Sequence, residues 1–276
     1  MPDDLRRQAL RALLESDPFV KAKAARALDD RLPVEADETL AAPQGIPGRP
    51  SRPELVPPNK VKSRDARSEA GRAALIHSLC HIEFNAINLA LDILWRFPGM
   101  PVAFYRDWAR VAREEGMHFQ LLCNHLGGMG HAYGDMPAHD GLWEMAERTS
   151  GDLLARLALV PRTLEARGLD ASPMVRAKLA GAGDQAAAVI IDVILHDEIG
   201  HVATGNRWYR HLCAREGIDP IACFRDLAMR YRAPRLRGPF NLPARRAAGF
   251  SDEELELLLS EDAARPRADV AAADRG

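Results

Sequence analysis

The sequence predicts an all-α fold, and three observations carry that expectation. Apolar residues recur at helical spacing through four long stretches, no stretch alternates apolar and polar residues as a half-buried strand would, and glycines and prolines punctuate the ends of the stretches. Acidic and imidazole side chains stand on these apolar stripes. In the run HDEIGH, Glu198 and His201 are three residues apart and share a helix face with Ala187, Ile190, Ile191, Ile194 and Leu195. A carboxylate and an imidazole on such a face are costly to bury without a partner, and a metal ion is one such partner.

Composition sets the bounds. A chain of 276 residues, 47% hydrophobic and 28% charged, is long enough for one large domain with a sizeable core. The net charge of −2 implies no polyanionic partner. Cys80, Cys123, Cys213 and Cys223 lie far apart without CxxC spacing, so neither a disulfide framework nor a thiolate zinc site is expected, and a reducing cytoplasm fits. The charged start MPDDLRRQALRALLES lacks the apolar core of a signal peptide, and no uninterrupted apolar run is long enough to span a membrane.

Residues 3–30 read as helical, with a restart at Asp17-Pro18 because proline suits a first helical turn. Residues 32–60 are rich in proline and fit neither helix nor central strand. Two readings stay open for them, a free linker or a strap across the domain surface. A long helix is predicted over Ser63–Phe97 and a second over Pro101–Leu126, ended by Gly127-Gly128. A third spans His139–Arg167, bent at Pro161 and closed by Gly168, with a short piece at Pro173–Leu179. The fourth runs from an Asp184 cap to Arg215. A short helix over Asp219–Arg230 comes next, then a basic irregular stretch at residues 233–250. Its arginines lack interleaved aromatics and suit carboxylate pairing rather than RNA. Ser251–Glu254 opens a last helix as a capping box, with a frayed tail from Ala263. The expected divisions are 1–62, helices and strap; 63–217, a four-helix bundle; and 218–276, a C-terminal extension.

The four long helices carry Glu83, then Glu115 with His118, then Glu165, then Glu198 with His201. Glu83 precedes Glu115 by 32 residues and Glu165 precedes Glu198 by 33, so two helix pairs each offer Glu followed by Glu-x-x-His. Two Glu-x-x-His matches alone are close to chance. Their place on core stripes and the duplicated interval match the known template of di-iron and di-manganese carboxylate bundles. Two divalent ions carry four positive charges, which four carboxylates neutralise, and two neutral imidazoles complete the shell without adding charge. Such ligands suit iron, with manganese as the second choice, and leave positions for dioxygen or water. Glu165, beside Pro161 and near a helix end, is also readable as a surface glutamate. Glu114 and Asp197 each precede a histidine of the set by four residues and are candidates to accept its ring N–H, on the same helix or across the bundle. His77 and His81 point away from Glu83 and read as packing histidines. Tyr105, Trp108, Trp143 and Tyr209 read as core or rim.

The segments GRPSRPELVPP, HSLCHIEFNAINLALD, DWARVAREEGMHFQLL, YGDMPAHDGLW, PRTLEARGLD, HDEIGHVATGNRW and GPFNLPARRAAGF, across residues 45–250, resemble the ferritin-like family called domain of unknown function 455. The resemblance implies a ferritin-like four-helix bundle with Glu83, Glu115, His118, Glu165, Glu198 and His201 as metal ligands, and it implies that the proline strap and the GPFN segment belong to the fold. The pattern is more distantly similar to di-iron tRNA hydroxylases, without a segment-level match. The expected function is a dioxygen-activating oxidoreductase acting on a small organic molecule and served by an electron donor, without membrane or nucleic-acid partners; a homo-oligomer is compatible with it. Iron binding or storage without turnover, and a metal site kept only for stability, are the alternatives.

Overall fold

The computed structural model describes residues 4–61 and 65–264, and these residues are all-helical, with one isolated bridge between Leu55 and Ala138. The predicted start at Ser63 and the tail from residue 265 lie outside them. Helices α1 (Leu5–Leu14) and α2 (Pro18–Arg26) begin where aspartates meet free backbone donors: Asp4 accepts from the N–H groups of Arg6 and Arg7, and Asp17 from those of Phe19 and Val20. Together they pack against α3 (Glu69–Arg96) and α4 (Val102–Gly128).

The proline-rich stretch is a strap, not a free linker. Its Gly48 N–H donates to Leu13 O, its Gly48 carbonyl accepts from the buried Lys21 ammonium at 2.6 Å, and Arg49 pairs with Asp140. Glu54 and Val56 exchange backbone hydrogen bonds with Ala138. Residue 48 must be glycine, because a Cβ there would stand 2.2 Å from Leu14 O.

α3 is capped by Ser68 and buries Ile76, Cys80, Ile87 and Leu94 along one face. By length and composition it could cross a bilayer, but 72% of its most apolar window is buried within the protein, as in a core helix. α4 ends at Gly127-Gly128, as expected: the two glycines are its last helical residues, Met129 is its C-cap, and Gly130 at φ +77° turns the chain away.

The predicted third helix is divided. α5 covers Gly141–Arg148; after a break capped by Asp152 come α6 (Leu153–Leu159), a π-helical turn (Val160–Glu165) and α7 (Ala166–Gly181) without interruption. Gly168 therefore does not close the helix, and Pro173 lies inside α7. Pro173 has no N–H for the carbonyl four residues back, and Asn241 from the GPFN segment donates its amide to that carbonyl, Leu169 O, at 3.1 Å. α8 (Gln185–Glu216) starts at the Asp184 cap and ends at Gly217 with φ +67°. α9 (Pro220–Arg230) is next; the stretch expected to be irregular contains α10 (Leu242–Ala247); and α11 (Asp252–Ala263) opens on the reciprocal Ser251–Glu254 capping box. In that stretch Arg245 pairs with Asp170 and Arg246 with Asp252.

α3 lies along α4, α7 along α8, and α4 against α8, while α6 and the π turn also pack on α8. A buried ion pair ties these layers. Arg156 of α6 reaches Asp92 of α3, Thr149 Oγ1 at 2.8 Å and Ala146 O, and Asp92 also receives Arg96.

Candidate metal centre

Glu83 stands on the buried face of α3 between Cys80 and Ile87, Glu115 and His118 on that of α4, and Glu198 and His201 on that of α8. Exposure of the five ranges from 0% for Glu115, His118 and His201 to 8% for Glu198. Glu165 closes the π turn. A π turn inserts one residue into the helical phase, and so rotates the side chains beyond it by about 100° around the axis. Pro161 lies in this turn, Thr163 Oγ1 donates to Ala158 O, and α8 comes so close that a Cβ at Gly205 would meet Pro161 Cβ at 2.5 Å.

Five of the six residues form two compact groups able to hold a metal ion, Glu83–Glu115–His118 and Glu115–Glu198–His201. Glu115 belongs to both. Its Oε2 lies 3.5 Å from His118 Nδ1 and its Oε1 lies 2.9 Å from His201 Nδ1, so each oxygen serves one group. Glu83 Oε2 is 3.3 Å from His118 Nδ1, and Glu198 Oε2 is 3.9 Å from His201 Nδ1. Glu165 falls outside both groups but adjoins them, close enough to feel the charges of Glu198, Glu115 and Glu83.

These contacts are close without being aligned hydrogen bonds. Seven buried atoms here have no hydrogen-bond partner: Glu83 Oε2, both Glu115 oxygens, His118 Nδ1, Glu165 Oε2, Glu198 Oε2 and His201 Nδ1. Glu165 is half-buried as a residue, yet its Oε2 is sealed. Orphaned buried polar atoms are costly, and six of these seven belong to the residues of the two groups, with Glu165 Oε2 beside them. Four carboxylates and two imidazoles are a donor set fitted to divalent transition metals.

The outer contacts decide which ring nitrogen faces inward. His118 Nε2 lies 3.0 Å from Asp197 Oδ2, and His201 Nε2 lies 2.8 Å from Glu114 Oε2. His118 of α4 and His201 of α8 are thus each oriented by a carboxylate of the other helix. A carboxylate at Nε2 holds the proton there and leaves the Nδ1 lone pair for a metal. Glu114 is steadied in turn by Arg110, which also donates to Thr204 Oγ1 at 3.2 Å. The Arg110–Thr204 brace has no sequence signature, because its parts are 94 residues apart. We expect Asp197→Asn and Glu114→Gln each to weaken metal binding roughly 10–100-fold while the helix content by circular dichroism is unchanged. Unaltered affinity in both would remove the orienting role.

His77, His81 and His139 tie neighbouring segments together, and His125 of α4 meets Asp184, the cap of α8. His77 Nε2 accepts from the Gly134 N–H, and His81 Nδ1 meets the Tyr133 hydroxyl at 2.9 Å. His139 bonds through its carbonyl to His81 and through Nδ1 to the Gly141 N–H. Tyr105, Trp108, Trp143 and Tyr209 are buried in the core.

Electrostatics are set by burial and crowding. Burial pushes the Glu83 carboxyl up to about 8 against the opposing pull of His118. Burial and neighbouring carboxylates also raise Glu165 and Glu198. Glu115 goes the other way: burial opposes its ionisation, but His201 and His118 on either side hold it below the usual carboxylate range. Burial disfavours the His118 cation, but Glu115 and Glu83 raise it to about 11, and His201 is likewise raised by Glu115 and Glu114. At neutral pH the metal-free site therefore retains protons that a cation must displace. Metal uptake is expected to release protons into buffer and affinity to climb from about pH 7 toward pH 11, as Glu83 and then His118 give theirs up. Calorimetry in buffers of different ionisation enthalpy measures this. A pH-independent affinity would contradict it.

A relative from Haemophilus influenzae, named only as an uncharacterized protein, is 44% identical over 261 residues, covering 90% of this chain and 91% of its own. No solved structure matches the chain at a significant level. Residues 14–256 match the family described as Protein of unknown function (DUF455), and the chain belongs to that family.

Proposed function

We propose that the protein is a ferritin-like di-metal carboxylate oxidoreductase. Its four-helix bundle is α3, α4, the continuous α6–π turn–α7 and α8. Glu83, Glu115, His118, Glu165, Glu198 and His201 hold two divalent ions, iron before manganese. The observation that carries this reading is the pair of buried Glu–Glu–His groups that share Glu115, whose ligand atoms lack hydrogen-bond partners, with the unpartnered Glu165 Oε2 adjoining them. Bound iron would supply charge stabilisation and electrons for dioxygen chemistry on an organic substrate. The chain's own part is to place Glu115 between the two sites, to hold the imidazoles by Asp197 and Glu114, and to keep water out with the packed stripes of α3, α4 and α8.

The test is metal analysis of the purified protein, followed by anaerobic ferrous loading and measured dioxygen uptake. Two ions per chain and uptake of dioxygen by the ferrous form are expected. One ion or none, without dioxygen uptake, overturns the reading. Continued iron deposition beyond two per chain would point to storage instead. Glu198→Ala separates chemistry from a merely structural metal: metal loss with the fold intact favours chemistry, and loss of folding favours a structural site.

A further inference from the structure

We propose that the C-terminal extension builds, against the π-helical turn, a binding cavity for a small branched aliphatic monocarboxylate. A cavity of about 70 Å³ lies between α9, α11 and the loop before α10. Its apolar walls are Ile221 and Phe224 of α9, Leu257 and Leu258 of α11, and Phe250. At roughly 10–15 Å³ for each enclosed water, it accepts a group of a few heavy atoms.

One polar group stands out at this cavity. Arg162 of the π turn lines it and is 3% exposed. Its Nε donates to Asn206 and its Nη2 to Glu254, while its Nη1 is buried without a partner. The guanidinium is held in place by rings, 4.1 Å from the centroid of Tyr209 and 5.4 Å from those of Phe224 and Phe250. Glu254 meets Arg162 through a single contact, to Nη2 and not to Nη1. One Glu254 oxygen takes Arg162, and the other takes Arg210 and the Ser251 N–H. The remaining charged residues are also matched, Arg245 with Asp170 and Arg225 with Glu261. Among the lining residues and their ion-pair partners, four arginines thus face three carboxylates. A monoanion corrects the balance, a carboxylate oxygen answers an arginine N–H with a charge-assisted hydrogen bond, and a short branched alkyl group suits the leucine and phenylalanine walls.

This assigns a ligand to the GPFN segment and the capping-box helix, which the metal centre does not use. Arg162 stands three residues before Glu165, so the cavity and the metal centre share one turn.

The full-length protein should be titrated calorimetrically with isobutyrate and, as the neutral counterpart, isobutanol at constant ionic strength. Isobutyrate is expected to bind one per chain, at least tenfold more tightly than isobutanol. Leu258→Trp, which fills the space, is expected to abolish binding while helix content and cooperative unfolding are retained. Glu115→Gln, altered at the metal centre alone, is expected to bind isobutyrate as the parent does. Equal binding of acid and alcohol, no binding by the folded parent, undiminished binding by Leu258→Trp, or loss of binding in Glu115→Gln would each overturn the proposal. The last of these would place the carboxylate on the metals instead.

Discussion

Replacing Glu115 by glutamine is expected to strip both metal ions from the protein at once. Glu115 is the one residue common to the two ligand groups, with Oε1 toward His201 and Oε2 toward His118. Glutamine keeps the shape but loses the negative charge and one of the two acceptor oxygens. The loss of affinity should be at least as large as the roughly 10–100-fold expected when an outer carboxylate is altered, and it should affect both ions together. Metal analysis of the variant after dialysis measures it, with circular dichroism as the control for folding. A variant that retains one firmly held ion would show that the two groups act independently and that Glu115 does not join them.

The second large effect is expected far from the ligands. Asp92→Ala should destabilise the fold by about 3–5 kcal/mol, because it leaves a fully buried arginine without its counter-charge. The Arg156 side chain is 1% exposed and that of Asp92 is 0% exposed. Arg156 lies in α6, whose helical run continues through the π turn to Glu165, and Asp92 lies on the helix that carries Glu83. Chemical denaturation of the parent and the variant gives the difference. An apolar pair, Asp92→Leu with Arg156→Met, should recover much of the loss, since the cost lies in the unpaired charge rather than in the missing contact. A loss below 1 kcal/mol in Asp92→Ala would mean that Thr149 and the Ala146 carbonyl suffice to hold Arg156.

The legible parts of the site are those set by local geometry. Glu-x-x-His on α4 and on α8 can be read directly, because residues three apart share a helix face whatever the rest of the chain does. The caps at Asp184 and Ser251 are legible for the same reason: each side chain answers an N–H three residues away. Glu114 and Asp197 could be picked out by their spacing, but not their partners. Only the crossing of α4 and α8 sets His118 opposite Asp197 and His201 opposite Glu114. Glu165 was the residue whose placement a regular helical count could not supply. Pro161 signals a disturbance, but its form, a π turn that continues into α7, depends on the close approach of α8 at Gly205. Gly168 and Pro173 misled in the same way. A helix through them is sustained by Asn241, 68 residues beyond Pro173 in the chain.

By itself, then, the sequence determined the all-helical character, the caps, the stripes, and which acids and imidazoles stand on them, because all of these are set by neighbours within a turn or two. The tertiary structure decided what no local rule contains. It makes Glu115 the member common to two groups, turns the imidazoles by carboxylates from the opposite helix, brings Glu165 alongside through a π turn, and folds the C-terminal extension over Arg162. The physical reason is that each of these depends on where two helices distant in sequence come to lie, and that is settled by the burial of their apolar faces against each other.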